Sequence, residues 1–243
     1  MFSYEIPIDE KGKKVFDLRP TIYGGLFVKA IIILFLMQSV CAQGSSWDWL
    51  NVFQQNQVRR GEAVVISQKV PRRPWPKVWI FQKVHADPIE AAAVFADFNF
   101  HKQFIPLLLK SEVTLRPQKN KAHVSYIMDL PRFLDDEVYT VENTVTGNIK
   151  KHIYDISWTK VRASSSKHIE GSVHFEPMGS ETLMIYYNYV VPSSGIARIV
   201  KRRSMNQVLE AAKALKMQIE RERSDQPNRL KRQLSELKEI LNL

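Results

Sequence analysis

Asp135-Asp136-Glu137 is the densest cluster of potential acid–base groups in this 243-residue chain. Crowded carboxylates shift one another's pKa, so facing a pocket they could polarise a substrate, whereas on a turn they are simply solvated. Six histidines, at 85, 101, 123, 152, 168 and 174, show no compact pairing at metal-ligand spacing, so no metal is expected. His123 and His174 fall on the polar phase of strand-like runs, which points to surface. No nucleophile elbow or glycine-rich phosphate loop occurs, so no catalytic residue and no cofactor is assigned. What stands out instead is aromatic and aliphatic. Tyr126, Met128, Tyr139, Val141, Tyr154, Trp158, Phe175, Tyr187 and Tyr189 are read as the covered face of successive strands. Such positions make either ordinary core or the wall of a pocket. The number of tyrosines favours the pocket, because a buried phenol needs a hydrogen-bond partner and one lining a cavity can meet ligand or water.

The elements that would carry these residues follow from periodicity. Strand-like stretches run over Glu62–Val70 and Lys77–His85, separated by the proline-rich turn Pro71–Pro76. Asp87-Pro88-Ile89-Glu90 combines a capping carboxylate, proline at the first helical position and Glu at N3. It opens a helix over Ile89–Ala96, with a second helical turn around Asn99–Ile105. Five more strands are expected over Ala122–Leu130, Val138–Val145, His152–Lys160, Gly171–Glu176 and Leu183–Val191. Val173 and Phe175 opposite Ser172, His174 and Glu176 show the alternation of an antiparallel sheet with one covered face. The cover is a long amphipathic helix from about Ile196 to Glu222, with Val200, Val208, Ala212, Leu215 and Ile219 on its apolar side. At ~1.5 Å per residue it spans roughly 40 Å, enough to cross a sheet. Pro227 then opens a second amphipathic helix, whose Leu230, Leu234, Leu237 and Leu241 offer a stripe for a partner.

A net charge of +10 favours anionic partners, although the basic residues are dispersed. No nucleic-acid motif is present, so no nucleic acid is expected. An anionic membrane is the sharper alternative to a plain solvated face, because Lys201, Arg202 and Arg203 adjoin the apolar Ile196 and Ile199. Lys29 followed by the apolar run Ala30–Met37 and the small residues Val40 and Ala42 reads as a signal peptide cleaved near Ala42. Export to a periplasm or medium is therefore expected, with an uncleaved membrane anchor as the alternative. Cleavage would remove the single cysteine, Cys41, leaving a mature chain that needs no disulfide.

Several pieces, in order, resemble the START (StAR-related) lipid-transfer domains of the SRPBCC, or helix-grip, superfamily, which includes polyketide cyclases and the birch pollen allergen. They are Gly61–Val64, Trp79–Val84, Ala86-Asp87-Pro88, Val94–Asp97, Phe104-Ile105-Pro106, Lys110–Val113, Asp129-Leu130-Pro131 and Val191–Gly195. The resemblance covers about residues 58–223. It implies an α+β helix-grip fold, a curved antiparallel sheet around one long C-terminal helix, enclosing a hydrophobic cavity for a lipid, sterol-like or other apolar molecule. It also implies a lid, here Gly195, Ile196, Ile199 and the basic Lys201-Arg202-Arg203, with Val208 and Ala212 of the helix facing the ligand. Three departures are visible. Asp135-Asp136-Glu137 stands where the family often has an Arg-Asp pair, Phe104 replaces a frequent tryptophan, and Ile196-Ala197 lacks the proline common after the lid glycine. The expected organisation is a leader and signal peptide over 1–42, an N-terminal segment over 43–57, the START-like domain over 58–224 and an amphipathic helix over 225–243. Two functions compete with non-enzymatic binding or transfer. One is a cyclase- or dehydratase-like enzyme using Asp129 or Glu137; the other is an envelope interaction protein with a vestigial cavity.

Overall fold

Eight antiparallel strands form one open sheet in the order β1-β2-β8-β7-β6-β5-β4-β3. They are β1 (Val64–Gln68), β2 (Lys77–Val84), β3 (Leu108–Gln118), β4 (Lys121–Met128), β5 (Glu137–Asn148), β6 (Ile153–Ala163), β7 (Ser166–Met178) and β8 (Glu181–Pro192). Among the described residues four α-helices accompany them: α1 (Val52–Arg59), α2 (Pro88–Ala96), α3 (Ala197–Asp225) and α4 (Pro227–Leu241). The computed structural model describes residues 45–130, 135–193 and 197–243, with side chains for all of these except 197–203. The signal-like segment 1–42 and the expected lid residues Gly195 and Ile196 lie outside the described residues, as do the side chains of Ile199, Lys201, Arg202 and Arg203. Among the described residues no helix is long and apolar enough to cross a membrane.

The expected order of elements holds, with one strand added. β3 is absent from the sequence reading because it is a sheet edge. Eight of its eleven residues are exposed, it carries Lys110, Glu112 and Arg116, and three register shifts against β4 break its alternation. Charge and bulges of this kind are how exposed edges avoid further pairing. Register also shifts between Thr140 and Val141 and between Ser166 and His168. Bulges bend and twist a strand, so the sheet curls around its inner face.

α2 crosses beneath that curve. Ala91 through Ala96 are all buried, as expected of a helix that is apolar all round and covered on every side. Glu90 Oε2 accepts from the backbone N–H of Asp87 at 3.0 Å, closing the helix start, and also meets Arg223 Nη1 of α3 at 3.0 Å. The C-terminal leucines are a correction. Leu230 and Leu237 are buried in the main core, and Leu234 and Leu241 pack against it, so the stripe offered to a partner is spent on α2 and β5 within the fold. The polar edge of α4 is tied down too, by Gln233 Nε2 donating to Asp97 Oδ2 at 3.0 Å. The N-terminal segment folds as a 3₁₀ turn (Ser46–Trp49) and α1, and covers the outer face of the sheet. There Leu50 and Val58 meet Val64, Phe81, Leu183 and Ile185 in a second core.

Candidate functional site

Between the inner face of the sheet and the start of α3 lies a cavity of about 450 Å³, within the ~300–1,000 Å³ typical of small-molecule sites. β5 shows how it is laid out. Glu137, Tyr139, Val141 and Asn143 all line it, and the next residue of that phase, Val145, belongs to the filled core. The six steps from Glu137 to Asn143, at ~3.3 Å each, make the cavity roughly 20 Å deep along this strand. Its open end carries the exposed Asp135, Asp136 and Ser164, with Pro192 and Ser204 beside them. Its floor is closed by Phe95 of α2, Asn143 and Trp158.

Trp158 owes its position to a glycine. Gly171 stands directly opposite it on β7, and a Cβ there would lie 2.2 Å from Trp158 Cζ2. Without that Cβ the indole lies flat across β7, between Phe95 and Tyr186 at ring-centroid distances of 5.9 and 5.6 Å.

His101 follows α2 on a 3₁₀ turn (Phe98–Gln103) and is 2% exposed. Burial holds its imidazole down to about 4, although the Phe95 carbonyl and Asp97 pull it upward. The ring is therefore neutral at physiological pH. Its Nε2 lies 2.7 Å from Phe95 O, a carbonyl that can only accept, so Nε2 bears the proton. Nδ1 is then an acceptor, and the Tyr126 hydroxyl donates to it at 3.0 Å. With its proton committed, the Tyr126 oxygen is left as an acceptor toward the cavity. The Tyr139 ring lies tilted against Tyr126, with centroids 5.2 Å apart. Burial pushes the phenols of Tyr126, Tyr139 and Tyr186 well above their ordinary value, so all three stay neutral. At the open end Glu137 accepts from the Ser165 N–H at 3.3 Å and from the Ser164 hydroxyl at 3.4 Å. Asp129 is not part of the lining.

Of the residues expected to face a ligand, Tyr126, Met128, Tyr139, Val141, Trp158 and Val208 come together around this cavity. Five others do not. Tyr154 and Phe175 are on the inner face but past the floor, 2% and 0% exposed in the filled core. Tyr187 and Tyr189 point to the outer face, where Tyr187 donates to Glu170 and stacks on Trp79 at 5.0 Å. The residues of β8 that line the cavity are Tyr186, Asn188 and Val190. Both faces of this strand are covered, the outer one by the N-terminal segment at Leu183 and Ile185 and by Trp79, Lys77 and His168 at Tyr187 and Tyr189, so Leu183–Val191 carries no polar phase to reveal its orientation. Ala212 is fully buried against Val78 and Ile80, and its neighbour Ala211 takes the cavity-facing place. His101, Asn143 and Tyr186 were missed. Extending the phase of Tyr139 and Val141 by two residues points to Asn143; nothing in the sequence marks His101 among the six histidines.

No family model matches the sequence, and no curated protein matches it. Solved structures do. The STAR-related lipid transfer protein from Xanthomonas axonopodis superposes with a TM-score of 0.58 at 14% identity, over 65% of this chain and 93% of that one. Human STARD10 gives 0.57 at 14% identity, over 68% and 74%. This chain has the START-like helix-grip fold. The same fold serves an enzyme, since the Zhui aromatase/cyclase from Streptomyces sp. R1128 gives 0.53 at 14% identity over 61% of this chain and 96% of its own. Identities this low establish architecture, and function has to be argued from the site.

Proposed function

We propose that this protein binds an apolar small molecule in the START-like cavity and releases it without chemical change. The observation that carries this reading is the cavity itself, about 450 Å³ walled largely by aliphatic and aromatic side chains and open at one end beside α3. The polar groups inside argue for holding rather than reacting. Both nitrogens of His101 are engaged by Phe95 and Tyr126, so neither is free to exchange a proton with a substrate, and the surrounding phenols remain neutral. Of the two carboxylates that a cyclase-like reaction would use, Asp129 does not line the cavity and Glu137 is already engaged by the Ser164 hydroxyl and the Ser165 N–H.

Delivery at an anionic bilayer belongs to the same proposal and would use Lys201, Arg202 and Arg203, which precede the cavity-lining Ser204 in the sequence. Vesicles with and without anionic lipid would separate this from a plain solvated face. Export after cleavage near Ala42 belongs to the same reading, and the N-terminal sequence of the native protein tests it. The binding claim is tested with the neutral fluorophore N-phenyl-1-naphthylamine. Saturable uptake at one site per chain, lost in Ala211→Phe while the fold persists by circular dichroism, is the expected result. Failure to bind this and other apolar probes would overturn the reading.

A further inference from the structure

Tyr139 of β5 and Tyr186 of β8 line the cavity from two separate strands, with β6 and β7 between them. Both side chains are half-buried, yet burial pushes both phenols well above their ordinary range, so they stay neutral. Groups this deep keep accessible surface only where a cavity supplies it. No hydrogen bond joins either hydroxyl to a described residue, and neither is among the sealed-off unpaired polar atoms, which belong to Gln82, Asn143 and Gln233. The two hydroxyls therefore open onto the cavity with their protons uncommitted. Tyr126 differs, because its proton goes to His101 Nδ1. Tyr139 and Tyr186 are also near enough for charge on one to oppose ionisation of the other. Their surroundings are aromatic, with Tyr126 against Tyr139 and Trp158 against Tyr186 at centroid distances of 5.2 and 5.6 Å. Along β8, Tyr186 is the lining residue farthest from the open end at Pro192. A phenol so placed has to take its partner from whatever occupies the cavity. A pure hydrocarbon would exclude water and leave two donors unpaired, whereas a ligand oxygen would satisfy them.

We infer that the cavity selects apolar molecules bearing a hydrogen-bond-accepting oxygen, that of a ketone or an alcohol, to which the Tyr139 and Tyr186 hydroxyls donate. This rests on the ligand-binding reading above and narrows it to a chemical class. The shared acceptor oxygen is what the two phenols read, so a ketone and an alcohol are separate arms of the test.

Competition against N-phenyl-1-naphthylamine compares decane, 2-decanone and 1-decanol in the wild type, Tyr139→Phe, Tyr186→Phe and the double variant. Each substitution deletes one hydroxyl and keeps the ring, so the walls retain their shape. The wild type is expected to bind the ketone or the alcohol about tenfold more tightly than the alkane. Each single variant should lose about threefold of that preference, and the double variant all of it, while alkane binding is kept. Equal affinity of the wild type for all three ligands would overturn the inference. So would a preference that survives in the double variant, or one kept in full by either single variant. If the double variant fails to fold, the single variants and the wild-type ranking decide. Fluorophore uptake by the wild type without discrimination sinks this inference and spares the ligand-binding reading. No uptake of the fluorophore or of any of the three ligands overturns both.

Discussion

Replacing Gly171 by alanine should deform the cavity floor by pushing on Trp158. The new Cβ would lie 2.2 Å from Trp158 Cζ2 and 2.6 Å from the Tyr187 carbonyl oxygen. Restoring an ordinary carbon contact of about 3.6 Å moves the indole by about 1.4 Å, toward Phe95 and Tyr186. Overpacking of this kind costs about 1–3 kcal/mol, and the backbone contact cannot be relieved by a rotamer change, so the upper part of that range applies. Alanine also restricts the unfolded chain, which returns about 0.4–1 kcal/mol. The clash wins, leaving a net loss of about 2 kcal/mol, or roughly 4–8 °C in Tm for a domain of this size. Thermal unfolding followed by circular dichroism measures the loss, and displacement of N-phenyl-1-naphthylamine reports the altered floor. A variant with unchanged Tm and unchanged affinity would refute the argument that Gly171 makes room for Trp158.

Stability should also fall with rising pH through His174. Burial pulls its imidazolium down, but hydrogen bonds to Asp155 at 2.7 Å and Glu176 at 3.3 Å outweigh this and raise it to about 9. Because the folded value lies above the ordinary 6.5, this stabilisation is complete below pH 6.5 and is lost as pH climbs through 9. At ~1.36 kcal/mol per pH unit the ceiling is about 3 kcal/mol, and the 46% exposure of Asp155 reduces the expected effect to about 1–2 kcal/mol. Denaturant unfolding of His174→Gln should show a flatter profile between pH 6.5 and 9 than the wild type. Glu222 is 0% exposed and meets Arg229 Nε at 2.8 Å and Gln218 Nε2 at 2.6 Å. Arg229→Ala, which strands that carboxylate, should cost about 2–4 kcal/mol in denaturant unfolding, with much of it recovered by adding Glu222→Gln. Leu237→Ala, at a fully buried position of α4, should cost about 2–5 kcal/mol; a cost near zero would mean that α4 is not part of the core.

How much of this was legible beforehand depends on how many faces of each element are wet. β4 and β5 each alternate between covered and solvated residues, and their inward set, Tyr126, Met128, Tyr139 and Val141, was readable from the sequence. α2 announced itself through Asp87, Pro88 and Glu90, and α3 through its apolar stripe. The failures occur where alternation vanishes. β8 is covered on both sides, so Tyr187 and Tyr189 were indistinguishable from Tyr186 and Val190. β3 is exposed on nearly all of its length, so it resembled a loop. The leucines of α4 were correctly seen as one face, but periodicity cannot say whether such a face finds its partner inside the same chain. Nor can it separate Tyr139, which borders empty space, from Tyr154, which fills it, because that difference arises from the path of α2 across the sheet. His101 and Asn143 belong to the same class, since a polar residue becomes informative only once its burial and missing partners are known.

The central claim, that the cavity holds an apolar molecule, is tested most directly by native mass spectrometry of the protein purified from its own cells, before and after organic extraction. The account predicts a neutral adduct of one molecule per chain, removed by extraction and absent from Ala211→Phe. A bare chain mass in both spectra, from a folded protein that also takes up no apolar probe, would contradict it.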